Sequence, residues 1–228
     1  SKAKSKVESV KLDETATVES KPVTVVVRSD LSALRIGRKA FSNQHAENED
    51  AIVDSVDVMT DEYVILVTRK GRGVIRLVND LHHANLDDNL EPVNRSIESL
   101  DSDDDFIGIV PVRDNSTFMT LSRMGYIKSM SSQKVCPSTN TRTYVKKTYP
   151  MSGVKKGEDE LTRIIRFDTN KSLPAELHYD TVDVKNKERN ETLKLDKWLS
   201  RDDSGTSSGA KGLKLADGAR SITGFELV

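Results

Sequence analysis

Cysteine occurs once, at Cys136, so no intrachain disulfide can form and a reducing compartment is expected. Aromatic residues are scarce, at 5%, and apolar residues reach only 36% of 228 positions. That supplies a thin core for the length and favours several small sheets over one massive globule. No apolar run is long enough to cross a bilayer as a helix, so no membrane span is expected. No charged-then-apolar leader opens the chain, which begins on Ser1 and is expected to be a piece of a longer polypeptide.

The ingredients of catalysis are equally thin. The four histidines are His45, His82, His83 and His178. The adjacent His82 and His83 splay apart on either a strand or a helix, which is wrong for a zinc pair. The run Asp101, Asp103, Asp104, Asp105 hints at a calcium loop, but Phe106 and Val112 stand where an EF-hand needs Gly and Glu, so a turn is expected. The Gly/Ser-rich stretch 205–212 lacks P-loop spacing and has no Ser or Thr after Lys211; a flexible loop is expected. Cys136 has no activating partner in sequence, and no Ser-His-Asp or paired-carboxylate pattern is present. No catalytic centre and no metal site are expected.

What is present is a charge asymmetry. Residues 1–110 carry 14 Lys/Arg against 21 Asp/Glu, whereas residues 111–228 carry 21 against 15. No acidic residue lies between Asp114 and Glu158, a stretch holding Arg123, Lys128, Lys134, Arg142, Lys146, Lys147, Lys155 and Lys156. A one-sign field over that much chain suits a phosphate backbone, although neighbouring acids can also balance a solvated face.

Residues 1–21 are polar and read as a linker or frayed lead-in, leaving 22–228 as the folded domain. From Pro22 onward, short β-branched runs alternate with turn signals. The segments 23–27 and 31–36, 63–68 and 73–77, and 118–122 and 126–130 read as hairpins. Val67-Thr68-Arg69-Lys70-Gly71 matches Leu121-Ser122-Arg123-Met124-Gly125, and Val27-Arg28-Ser29-Asp30 is a looser copy. Acid-rich turns and a further apolar strand separate the hairpins, at 106–112, 161–167 and 222–228. The repeat predicts an all-β, propeller-like fold of about four blades, starting near residues 22, 52, 96 and 153. Helical turns are expected only within 97–100 and 193–199.

On such blades Arg69, Lys70, Arg72, Arg76, Arg123 and Lys128 fall on or beside the hairpin turns. They are expected to project from the rim and, with Lys134, Arg142, Lys146 and Lys147, to contact DNA phosphates without reading bases. Basic residues on exposed hairpins also blunt sheet edges against aggregation. Tyr126, Tyr144 and Tyr149 interleave this stretch and are expected to pack rather than stack on bases.

The hairpin 63–76 (YVILVTRKGRGVIR) and the hairpin 118–128 (FMTLSRMGYIK) resemble the blade hairpins of gyrase and topoisomerase IV A subunits. The joining residues Val78-Asn79-Asp80-Leu81-His82 and Leu86-Asp87-Asp88-Asn89-Leu90 look like the blade link of Gram-positive topoisomerase IV A subunits. The strand 107–112 and the run 209–218 (GAKGLKLADG) are also similar to family segments, whereas residues 171–200 depart from the pattern. The Gln-Arg-Arg-Gly-Gly-Lys-Gly box of gyrase has no counterpart, since Ser208-Gly209-Ala210-Lys211-Gly212 lacks the paired arginines. The resemblance therefore implies the C-terminal domain of a topoisomerase IV A subunit, cellular or phage: a β-pinwheel that binds and bends duplex DNA for ATP-dependent strand passage. Set beside the five or six blades usual in that family, about four blades imply an open or incomplete ring. It implies cytoplasmic, nucleoid-associated work with the rest of the A subunit and the ATPase B subunit. ATP and Mg would then belong to the holoenzyme, and this domain would hold no cofactor and no catalytic tyrosine. A protein-docking propeller that never touches DNA is the alternative.

Overall fold

The computed structural model describes residues 18–44, 51–93, 97, 100–136, 147–151, 159–205, 207, 209–215 and 221–228. Most of the expected lead-in lies outside them. Its last residue is tied down: Lys21 donates its backbone N–H to the Thr60 hydroxyl (2.9 Å) and accepts the Thr60 N–H (3.0 Å).

Four separate sheets form, each built on one hairpin. The first joins β1 (Pro22–Arg28) and β2 (Ala33–Gly37), the second β4 (Tyr63–Thr68) and β5 (Arg72–Leu77). The third joins β8 (Ser116–Ser122) and β9 (Tyr126–Ser131), the fourth β12 (Glu176–Val182) and β13 (Glu188–Lys194). To the first strand of each hairpin a linking strand adds antiparallel: β3 (Ile52–Met59), β7 (Phe106–Pro111), β11 (Leu161–Asp168) and β15 (Ser221–Leu227). To the second strand of the first three hairpins a donated strand adds: β6 (His82–His83), β10 (Lys147–Pro150) and β14 (Ala210–Lys211). Each donated strand comes from the segment that follows the next hairpin, so each of the first three blades borrows its last strand from its successor. Among the described residues the fourth sheet has no donated strand.

This exchange corrects the expected blade starts at residues 52, 96 and 153. The strand that opens each of those sequence units pairs backward with the preceding hairpin. The expectation of four blades holds.

Val, Ile and Thr are frequent in β1, β4 and β5, and β1, β4 and β8 are buried on both faces because sheets stack on one another. Val64, Leu66 and Val74 of the second sheet pack with Val25, Val27 and Val58 of the first. On its other face Ile65, Val67 and Ile75 meet Phe118 and Met130 of the third. Met119, Leu121 and Ile127 of the third then meet Leu177, Tyr179 and Trp198 beside the fourth. The outer face of the first sheet, Val26, Leu34 and Ile36, is covered by Leu86, Leu90 and Phe41 of helix α1 (Arg38–Asn43). At the other end of the stack β12 alternates buried Leu177, Tyr179 and Thr181 with half-buried Glu176, His178 and Asp180. The stack is thus capped at one end by its own chain and finished at the other by a polar face.

Two further short helices, α2 (Ser132–Val135) and α3 (Asp196–Leu199), follow β9 and β13. The turn expected within 193–199 is α3, although Leu193 itself belongs to β13. At 97–100 there is one Leu100-to-Ile97 backbone hydrogen bond (3.1 Å). Neither α1 nor α2 was expected from the sequence. Among the described residues no helix is long and apolar enough to cross a membrane.

Candidate nucleic-acid interface

The hairpin repeat has a physical basis at its turn. Gly71 and Gly125 lie at φ 81° and 89°, where a side chain is strained, and donate to the Thr68 and Ser122 carbonyls at 3.1 and 3.0 Å. The hydroxyls of Thr68 and Ser122 accept the N–H of Arg72 and Tyr126, both at 3.0 Å. Buried Asp104 and Asp159, each preceding a linking strand, cap the turns by accepting the N–H of Lys70 and Met124, both at 2.9 Å. In the first blade Leu31 takes the glycine's place at φ 69° and donates to Arg28. The departure of 171–200 is also explained. The β12–β13 turn uses Asn186 at φ 58°, held by Asp183, whose carboxylate accepts the N–H of Lys185 and Lys187.

The turn arginine of the second blade is enclosed by carboxylates. Arg69 donates to Glu160 (2.8 Å), to Asp105 (3.0 Å) and to the Asp103 carbonyl (2.6 Å). The Glu160 bond, followed by that to Asp105, raises its pKa. Because Glu160 leads into β11, Arg69 ties the second blade to the third. Lys70 is held by Asp103 (2.6 Å) and Asp101 (3.2 Å), and the Asp103 bond raises the lysine's pKa. Arg123 anchors through its backbone, its N–H donating to the Glu160 carbonyl at 2.8 Å.

Two expected rim cations are interior instead. Arg76 is 6% exposed and donates to the Ile75 carbonyl. Lys128 is fully buried. Its Nζ donates to the Gly205 carbonyl at 2.9 Å, and burial lowers its pKa to about 8. Lys128 faces Thr120 across the hairpin, where the second blade pairs Val74 with Leu66. It therefore occupies a core position of the repeat. Lys134 reaches Asp202 at 3.4 Å. Part of the stretch 205–212, expected to be a flexible loop, is ordered into the sheet over Lys128. Asp203 exchanges backbone and side-chain bonds with Ser129, Ala210–Lys211 forms β14, and a Cβ at Gly205 would collide with the Tyr149 ring.

What remains open is the rim. The linking strand β3 contacts β7, and β7 contacts β11, so these strands line the axis and the donated strands lie farthest from it. At the outer edge of the second blade, β10 pairs with β5 in the register Lys147–Ile75 and Pro150–Arg72. Of the acid-free stretch, Lys147–Pro150 is the part placed on this outer edge among the described residues, whereas 116–135 forms β8, β9 and α2. Arg72 is exposed, as is Lys211 on the equivalent donated strand β14. Neither side chain has a protein partner among the described residues. Arg142, Lys146 and the side chain of Lys147 lie outside the described residues, as does Tyr144. Tyr149 packs against the core between the second and third blades, and Tyr126 is half-buried. His82 and His83 are exposed on β6, and no group of three His, Cys, Asp or Glu able to hold a metal occurs among the described residues.

Four stacked sheets, the first three each completed by a strand from the following blade, match the β-pinwheel fold. Solved structures of this fold are C-terminal domains of DNA topoisomerase IV and of DNA gyrase A. The chain is similar to the C-terminal domain of DNA topoisomerase IV at 18% identity and TM-score 0.66, covering 93% of this chain and 62% of that one. It is similar to the E. coli ParC C-terminal domain at 12% identity and TM-score 0.61 (89% and 79% covered), and to the gyrase A C-terminal domain at 12% and 0.51 (87% and 62%). The chain thus spans under two thirds of the topoisomerase IV domain it matches. No family model matches the chain, and no curated protein matches it.

Proposed function

We propose that this chain is a DNA-holding domain of a topoisomerase IV A-type subunit, gripping duplex DNA along its outer rim and bending it toward the strand-passage gate. The observation that carries this reading is the placement of the acid-free stretch between Asp114 and Glu158, which supplies β10 at the outer edge of the second blade. Arg72 lies beside it, and Lys211 repeats the arrangement one blade on. Cations spaced along a convex edge neutralise successive phosphates and favour a curved duplex, without base contacts. The fold shared with topoisomerase C-terminal domains supports the same assignment.

In this reading the domain works in the cytoplasm at the nucleoid, attached to the cleavage–rejoining part of the A subunit and served by the ATPase B subunit. ATP, Mg and the strand-passing tyrosine belong to those parts, and the domain alone turns nothing over. The test is a fluorescence titration of a short linear duplex at several salt concentrations. Affinity should fall with a log–log slope of about 0.9 per phosphate neutralised. A flat response, or retention of a protein partner with no retention of duplex, would sink the reading in favour of a docking module.

A further inference from the structure

We infer that the acidic 101–105 loop is a built-in competitor for DNA, occupying Lys70 at the second-blade tip so that only the rim engages phosphate in the resting protein. The inference rests on the DNA reading above and adds a regulation to it. Asp101 and Asp103 lie 3.2 and 2.6 Å from the Lys70 ammonium, and their side chains are 70% and 73% exposed. Lys70 is the one side chain that bonds either carboxylate among the described residues; Asp103 otherwise accepts only its own backbone N–H. Asp104, which follows them, is buried and caps the turn, so the loop's fold rests on Asp104. The side chains of Asp101 and Asp103 have no comparable structural task, and they place two negative charges where a phosphate would sit. In the third blade the matching turn residue is Met124, whose side chain needs no such counter-charge.

The thermodynamic consequence is specific. A free lysine that meets a phosphate displaces condensed counterions from the duplex, which steepens the salt dependence of binding. Lys70 would first have to leave two carboxylates, exchanging one anionic partner for another. In the resting protein it therefore adds nothing to affinity. Once Asp101 and Asp103 are neutral, Lys70 should add one phosphate contact and about 0.9 to the slope. Between 50 and 200 mM salt its advantage should then shrink by about threefold.

The experiment titrates one linear duplex into the full chain carrying D101N/D103N, with and without K70A. D87N/D114N serves as a control that removes the same charge at two exposed sites away from Lys70. Tighter binding by D101N/D103N at low salt, abolished by K70A and not reproduced by the control, is the expected result. Affinity equal to the unaltered chain would overturn the inference, as would a gain that survives K70A or is matched by the control. K70A alone should leave binding unchanged, and a loss there would overturn it without reliance on the aspartate variants. Failure of the unaltered chain to bind at low salt would instead refute the DNA reading itself.

Discussion

The second and third blades are near copies that handle their cations in opposite ways. Both turns use hydroxyl, Arg, any residue and Gly, both are capped by a buried aspartate, and both receive a donated strand at the rim. Yet the second blade puts Lys70 at its tip under carboxylates and keeps Val74 in its core. The third puts Met124 at the tip and carries Lys128 at the core position, roofed by the segment that becomes β14. A repeat fixes backbone positions, but it does not fix which of them face solvent. Exposed charge must therefore be traced strand by strand.

The sharpest way to break the comparison is to give the second blade the third blade's lysine. Val74→Lys places an ammonium in the core between the first two sheets, and should cost on the order of 3–5 kcal/mol in denaturant titration. A loss below about 1 kcal/mol would mean that this core position tolerates charge without a built acceptor. The tip contrast comes next. Gly125→Ala meets both the positive φ and the Leu213 carbonyl, 3.0 Å from where the Cβ would sit, and should cost about 2 kcal/mol. Chemical denaturation of that variant measures it.

The smallest expected effect is a gain. Lys128→Met removes a desolvated ammonium and leaves the Gly205 carbonyl without its donor, so at neutral pH stability should rise by about 1 kcal/mol. The folded-state pKa of Lys128, about 8, lies below its unfolded value near 10.5. Between those values the unfolded chain binds more protons, so the parent should become more stable as pH rises through that window and level off below it. The Met variant should lack the rise. An identical pH profile in the two proteins would place Lys128 in water.

Periodicity made the hairpins legible. The runs 63–68 and 73–77 are β4 and β5 almost residue for residue, and the turn motif marked both glycines at positive φ. Strand exchange was not legible, because β6 and β14 are two residues long and owe their pairing to the neighbouring sheet. Lys128 and Arg76 were misplaced for a related reason. Alternation separates core from solvent only when one face is wet, and strands sandwiched between blades bury both. The tip clamp had a faint signal, an acidic residue directly before each of the linking strands β7 and β11, but its partners lie 31 to 91 positions away. Of the rim positions, only Lys147 falls in the acid-free stretch, and the sequence did not mark that stretch as an edge strand of the preceding blade.

The account stands on DNA lying along the rim and away from the tips. The direct measurement compares duplex binding across salt for R72Q/K147Q/K211Q and for R69Q/K70Q. The rim variant should weaken binding and lower the log–log slope by about 2.7, whereas the tip variant should keep the parent slope. The opposite outcome, an intact slope in the rim variant and a loss in the tip variant, would contradict the account.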